Sequence, residues 1–314
     1  MRKANNMDDK IILIIRKTRL EELIARFNTL GQARFYLEHL GADFEDYQRE
    51  HQQYVQAARE AETTLKRLGN VQVVDRSFLP NFIFGPQDIV VVLGQDGLVA
   101  NTMKYLDGHP VIGVNPDPVR WDGVLLPFLV EDLEVVVGET FAASRNYREV
   151  SLAEVKLNDG QTLYAVNDLF IGPKNHKSLR YTIKVGDMIE QQSSSGVIIS
   201  TGLGSTGWLK SLVAGARGVV HALGGRDLEL DDPTGFDWAA DKLYFTVREP
   251  FPSRVSTVSL VFGAVRGTQK MIIESLTPED GVIFSDGLQD DYLAFNSGTR
   301  AEIGLAARKG VIVV

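Results

Sequence analysis

The chain contains no cysteine. That absence excludes disulfides, thiolate metal sites and a cysteine nucleophile together. Histidine is also scarce. His39, His51, His109, His176 and His221 show no metal-ligand spacing, which argues against a zinc site, and no metal ligand is assigned from the sequence. Long apolar runs are missing as well. IILII near the start is five residues deep before Arg16 and Lys17, too short for a signal-peptide core or a membrane span. Positive charge is in deficit, with 33 Lys and Arg against 41 Asp and Glu, a formal net charge of −8. Such a surface argues against general binding to nucleic acid or an anionic membrane, while leaving room for a local site that holds a small anion. The expectation is a cytoplasmic protein without nucleic-acid or membrane partners.

What is present suits a soluble globular protein. Of 314 residues, 44% are hydrophobic and 24% charged, enough for large cores in about two domains. Up to about residue 138, the apolar runs IILII, VQVV, DIVVVL and PVIGV alternate with helical stretches, notably EELIARFNTLGQARFYLEHL and FEDYQREHQQYVQAAREAETTLKRL. That alternation predicts an α/β domain with a parallel sheet over residues 1–138. The heavily charged face of the second helical stretch reads as solvated surface. From Glu134 onward the texture becomes strand and turn: LEVVVGE, EVKL-NDG-QTLYAV, YTIKVGDMIEQ, GVIIS, DKLYFTV, STVSLVF, KMIIESL, GVIFS, YLAF and AEIGLA. Residues 139–314 are therefore expected to form a β-rich, mostly antiparallel domain. A cleft between two such domains is the default ligand site.

Three stretches carry chemistry. In VVVLGQDGLV, residues 90–99, a buried strand runs into Gly94-Gln95-Asp96-Gly97. Asp-Gly is a common turn dipeptide, and Asp159-Gly160, between the alternating segments AEVKL and TLYAV, reads as a hairpin turn. Asp96 differs because Leu98, Thr102, Tyr105 and Leu106 follow it with the spacing of one helical face. A strand, a Gly-rich turn and a helix together present backbone N–H groups to a phosphate. In SSSGVIISTGLGSTGWLKSL, residues 193–212, the segment from Gly202 to Gly207 satisfies G-x-G-x-x-G after a strand and before a candidate helix. The surrounding βαβ unit is missing, and the acidic residue that would bind a ribose falls near Asp227 in a loop. Trp208-Leu209 stands where a P-loop needs Lys-Ser/Thr, and there is no G-x-S-x-G elbow. In LYAVNDLFIG, Asn167 and Asp168 interrupt an apolar strand. An unsatisfied polar group there costs about 1–3 kcal/mol, so the pair marks either a bulge or a ligand contact, and the Asn amide favours the contact.

In order, GQDG with its helix, PVIGVNPDPVRWDGVLLPF, AVNDLFI, SGVIISTGLGSTGW and VIFSDG resemble the motifs of NAD kinases, the ATP-dependent enzymes that make NADP. The opening IILIIRKTRLEEL and the NPDPVRWDG variant resemble the divergent, mitochondrial-type branch. The resemblance spans nearly the whole chain and implies the family's α/β domain plus β-rich domain, with NAD and ATP as ligands, Mg2+ accompanying ATP, and a homo-oligomer, a dimer foremost. By the same resemblance, Asp96 binds and deprotonates the 2′-hydroxyl of the adenosine ribose, flanked by Gly94 and Gly97. Asn115 is carried over as a nucleotide contact, and Asn167 and Asp168 match an Asn-Glu pair that meets NAD. Thr201, Gly202, Gly204, Ser205 and Thr206 match the Gly-Ser-Thr loop, Gly207 and Trp208 its Ala-Tyr positions, and Ser211 a following serine. Asp96 and residues 201–206 are expected on one cleft. Three positions depart from the pattern: Gln95 replaces a glycine, Leu98 a threonine, and Ser195, kept among the binding candidates, an acidic residue. Lys17, Arg19 and Arg248 are candidates to offset phosphate charge. The competing functions are a non-catalytic dinucleotide-binding protein on the same fold and an oxidoreductase that uses the GLGSTG loop.

Overall fold

The computed structural model describes residues 10–225 and 233–314. The chain divides into two compact units: unit 1 runs to Arg148 and takes back Val311–Val314, and unit 2 is Glu149–Gly310.

Unit 1 contains β1 (Lys10–Ile15), α1 (Arg19–Phe27), α2 (Leu30–His39), α3 (Phe44–Leu68), β2 (Asn70–Asp75), β3 (Ile89–Leu93), α4 (Asp96–Met103), β4 (Pro110–Asn115), β5 (Phe128–Leu129) and α5 (Leu133–Phe141). Its sheet is parallel: β2, β1, β3 and β4 lie side by side, and Val311 and Ile312 add to the free edge of β4. All five residues of β3 are buried, as a strand covered on both faces requires. Helix starts follow local chemistry. Thr18 and Glu21 form a reciprocal capping box on α1, and the Asp43 carboxylate accepts the Glu45 N–H at the start of α3. The core joins Ile11, Leu13, Val91, Leu93, Ile112 and Val114 of the sheet to Tyr54, Ala61 and Leu65 of α3 and Leu133, Val136 and Val137 of α5.

One segment departs from expectation. LEVVVGE reads as a strand from its valines, yet it forms the first part of α5. Leu133, Val136, Val137 and Thr140 are its buried residues, a spacing of three and four that belongs to a helix. Packing of that stripe on α3 and the sheet outweighs the β preference of valine.

Unit 2 holds β6 (Tyr147–Leu157), β7 (Thr162–Ala165), β8 (Asp168–Pro173), β9 (Leu179–Val185), β10 (Met188–Ser194), β11 (Gly196–Ser200), α6 (Trp208–Ala222), β12 (Lys242–Arg248), β13 (Phe262–Arg266), β14 (Met271–Ser275), β15 (Gly281–Ser285), β16 (Leu288–Ala294) and most of β17 (Arg300–Val313). One antiparallel sheet runs β10-β9-β14-β17, with β6 joining β17 to β7. The other runs β13-β12-β11-β8-β15-β16, antiparallel throughout. Their inward residues, among them Leu169, Ile171, Val197, Ile199, Tyr181 and Phe245, share one core. The β6–β7 connection is the expected hairpin: Gly160 takes φ 92° and the Asp159 carboxylate accepts the Gln161 N–H at 3.0 Å. STVSLVF, read as a strand, lies outside the ladders, with bends at Ser259 and Val261, until β13 opens at Phe262. The Ser256 hydroxyl donates to the Phe251 carbonyl there, a local bond that competes with strand pairing. Among the described residues, no helix is long and apolar enough to cross a membrane.

Candidate functional site

In unit 1 the site is built at the carboxyl ends of β1, β3 and β4, where parallel sheets place ligands. The chain leaves β3 at Gly94, whose N–H donates to the Val114 carbonyl at 3.2 Å. A Cβ on Gly94 would sit 2.7 Å from Leu98 Cδ2, so Leu98 folds back over the turn. Gln95 precedes α4 with φ −106° and ψ 162°. That is ordinary extended backbone, so the side chain imposes no strain where a glycine was expected. Asp96 opens α4 and is partly exposed, and its Oδ1 accepts the Leu125 N–H at 2.6 Å. Gly97 is exposed with open space around its Cα.

The loop that supplies the Leu125 N–H is shaped by Asn115. This residue is 5% exposed; its amide donates to the Trp121 carbonyl at 2.9 Å and its Oδ1 accepts the Asp117 N–H at 3.0 Å. The loop lies directly on Gly113, where a Cβ would meet the Leu125 carbonyl at 1.8 Å. Asn115 therefore acts on Asp96 through the loop.

Behind this turn, α3 contributes more than a solvated face. Tyr54 donates its hydroxyl to the Leu93 carbonyl at 2.8 Å and accepts the Arg16 N–H at 2.9 Å, joining the ends of β3 and β1. Burial pushes the Tyr54 hydroxyl up to about 12. Glu50, 3% exposed, receives Arg16 at 2.9 Å and Arg19 at 2.7 Å. Asp46 receives both ends of the Arg120 guanidinium, at 2.6 and 3.1 Å, and Arg19 at 3.0 Å. Hydrogen bonds from Arg120 and Arg19 hold the Asp46 carboxyl down at about 2. Arg19 is thus engaged by two carboxylates, while Lys17 is exposed.

In unit 2 the segment 166–168 meets the loop 201–207. The Thr201 N–H donates to the Asn167 carbonyl at 2.9 Å, and its hydroxyl donates to the Val166 carbonyl at 2.6 Å. A Cβ on Gly204 would lie 2.2 Å from the Asn167 carbonyl oxygen, and one on Gly202 would lie 2.0 Å from that of Asp237. Ser205, wholly buried, donates to the Gly202 carbonyl at 2.7 Å and accepts the Gly235 N–H at 2.9 Å. Thr201, Gly202, Gly204 and Ser205 are thus the framework of the loop. Thr206, Gly207 and Trp208 lead outward into α6, and the Ser211 hydroxyl turns back to the Gly207 carbonyl. The Trp208 ring stacks on Phe170 with centroids 5.6 Å apart, and the Arg248 guanidinium lies 5.4 Å from the Trp208 centroid. Ser195 donates its hydroxyl to the Glu249 carboxylate, so an acidic group borders this position from the adjacent strand end. Asp168 is partly exposed, but its Oδ1 is enclosed and without a hydrogen-bond partner. Burial pushes its carboxyl up to about 7, with the nearby Asp286 charge adding and the Ser200 hydroxyl opposing.

No family model matches the chain. NAD kinase from Heliobacterium modesticaldum is 33% identical over 147 residues, 43% of this chain and 50% of that protein. NAD kinase from Acinetobacter baylyi is 30% identical over 151 residues, 45% of this chain and 47% of that protein. The chain spans about half the length of these curated relatives. Among solved structures, that of an NAD kinase from Archaeoglobus fulgidus in complex with ATP aligns with 98% of this chain and 93% of its own, with a TM-score of 0.58 at 15% identity. The chain is a sequence relative of NAD kinases and has their fold.

Within the NAD kinase fold, β11 is antiparallel to both β8 and β12, so the G-x-G-x-x-G match lacks the parallel setting of a dinucleotide fingerprint. Asp227 lies outside the described residues. The charged face of α3 is solvated at Glu45, Arg49, Arg59, Glu60, Lys66 and Arg67, but the sequence reading missed polar anchors beside it: Asp46 and Glu50 hold the arginines and Tyr54 the β3 end. The signal was available: 46, 50 and 54 recur every four residues on one helical face. Asp286, in the VIFSDG stretch, was noted only as part of a motif. Its contacts with 166–168 bridge about 120 residues of sequence, and no local pattern reveals them.

Proposed function

We propose that the chain is a phosphotransferase that moves the γ-phosphoryl group of ATP to the 2′-hydroxyl of the adenosine ribose of NAD, giving NADP. The observation that carries this reading is Asp96: a carboxylate at the mouth of a buried parallel strand, fixed through one oxygen by the Leu125 N–H and still reachable by solvent. A ribose hydroxyl is a weak nucleophile, and a carboxylate within about 2.6–3.2 Å can align it and take its proton. In the transfer, the bond from O2′ to the γ-phosphorus forms, the bond from that phosphorus to the β–γ bridging oxygen breaks, ADP leaves, and the O2′ proton passes to Asp96. The amide of Asn167, the carboxyl of Asp168 and the outward part of the 206–208 turn are assigned to the dinucleotide, with Trp208 and Arg248 offering a flat, cationic shelf.

The triphosphate charge needs an offset that Arg16, Arg19 and Arg120 do not supply, since carboxylates engage all three. Among the described residues no group of three or more His, Asp or Glu forms a metal cluster. Magnesium bound with ATP would offset the charge of its phosphates. The reading includes a cytoplasmic homodimer. An oxidoreductase is disfavoured by the antiparallel setting of the GLGSTG loop. The direct test is incubation with NAD, ATP and magnesium followed by chromatographic detection of NADP. NADP is expected. NAD binding without NADP from ATP or polyphosphate makes the chain a non-catalytic binding protein.

A further inference from the structure

The turn between β15 and β16 is a two-residue loop in which Asp286 and Gly287 take φ 53° and 73° and Ser285 pairs with Leu288. This is the type I′ hairpin geometry, to which Asp-Gly is suited. At the Asp159 hairpin the carboxylate stays at the surface and serves only its own turn. Asp286 instead turns its carboxylate onto another strand. Its Oδ2 accepts the Val166 N–H at 3.0 Å, and its Oδ1 accepts those of Asn167 at 2.6 Å and Asp168 at 3.2 Å. In return, the Asp286 N–H donates to the Asp168 carbonyl at 3.0 Å. Three successive backbone N–H groups converging on one carboxylate make a charge-assisted clamp, stronger than neutral contacts.

The clamped segment carries the two side chains assigned to the dinucleotide. Around the Asp168 carboxyl stand the Ser200 hydroxyl from β11 and, from the β15–β16 turn, the negative charge of Asp286. We propose that Asp286 is a positioning residue of the dinucleotide site: its carboxylate fixes the backbone of residues 166–168 and with it the direction of the Asn167 amide and the Asp168 carboxyl. A carboxyl and an amide held side by side suit the hydroxyl and amide groups of a dinucleotide. This role rests on the NAD reading for its ligand, but its structural part is measurable without ligand.

Asp286→Asn keeps the turn, since Asn tolerates the left-handed conformation, and removes the charge. In the ligand-free protein, carboxyl-carbon NMR should show the Asp168 midpoint falling once the like charge is gone. Hydrogen exchange at residues 166–168 should accelerate. With substrate, KM for NAD should rise roughly tenfold while kcat changes less, the loss expected for one charged hydrogen-bond partner. Asp286→Glu, which keeps the charge but alters its reach, should preserve the Asp168 midpoint and still loosen the three amides. An unchanged midpoint with unchanged exchange in Asp286→Asn overturns the proposal, and so does an Asp286→Asn chain that fails to fold, which assigns the residue to stability alone. A wild-type chain without affinity for NAD overturns the functional reading, and the ligand-free measurements still decide the positioning role.

Discussion

Glu50 in unit 1 and Asp168 in unit 2 are carboxylates with opposite surroundings, Glu50 buried and Asp168 with one oxygen enclosed. Glu50 is gripped by Arg16 and Arg19, and although burial alone would push its carboxyl up, the two guanidinium groups more than reverse that and hold it below the usual range. Asp168 has an enclosed oxygen with no partner and a second carboxylate nearby, and its carboxyl is pushed up to about 7. A paired charge of this kind holds the backbone, here tying the end of β1 and the start of α1 to α3. An enclosed carboxyl left short of a partner lowers stability, and such groups cluster at functional sites. The difference separates scaffold from ligand contact more sharply than burial does.

Substitutions at the two residues should therefore act in opposite directions. The largest effect on stability is expected for Glu50→Gln, which leaves Arg16 and Arg19 without their anion and should cost about 3 kcal/mol in urea unfolding. The pH dependence follows from the lowered carboxyl. Its contribution is complete above the ordinary glutamate range and is lost as pH falls through the folded value, so wild type and Glu50→Gln should converge in acid. Equal stability of the two at pH 7 would break the comparison.

Asp168→Asn should do the reverse. A carboxyl raised to about 7 in the fold from 3.8 contributes stability that is complete below about 4 and is lost as pH rises through 7. The melting temperature of Asp168→Asn relative to wild type should therefore climb over that window and be highest above pH 7, while affinity for NAD falls. A flat difference between pH 4 and 8 would remove the contrast with Glu50. The smallest effect belongs to Asp159→Asn, at an exposed hairpin, where the melting temperature should stay near that of wild type.

The parts of this molecule that were legible in the sequence are those fixed by neighbours in the chain. VVVLGQDG announces a buried strand and a helix start because burial and turn chemistry lie within ten residues. The NDG hairpin is legible for the same reason. LEVVVGE was misleading because valine composition points to a strand while the buried stripe, 133, 136, 137 and 140, has helical spacing. Asp159 and Asp286 look alike locally, since both precede glycine in a hairpin. Only the fold shows that one carboxylate serves its own turn while the other clamps residues 166–168. Gln95 teaches a related limit: it stands where the family pattern has a glycine, yet the backbone there has an ordinary negative φ.

Whether Asp96 accepts the proton of the ribose hydroxyl is tested by the rate of NADP formation by Asp96→Asn beside wild type and Asp159→Asn, at saturating NAD and ATP. Asn keeps the shape of Asp96 and an oxygen for the Leu125 N–H but is a far weaker base. The rate of Asp96→Asn should be lower by about 10²–10⁴-fold, with a melting temperature near wild type and full activity in Asp159→Asn. Equal rates in Asp96→Asn and wild type would contradict that proton transfer and reduce the Asp96 carboxylate to a tie for the 115–125 loop.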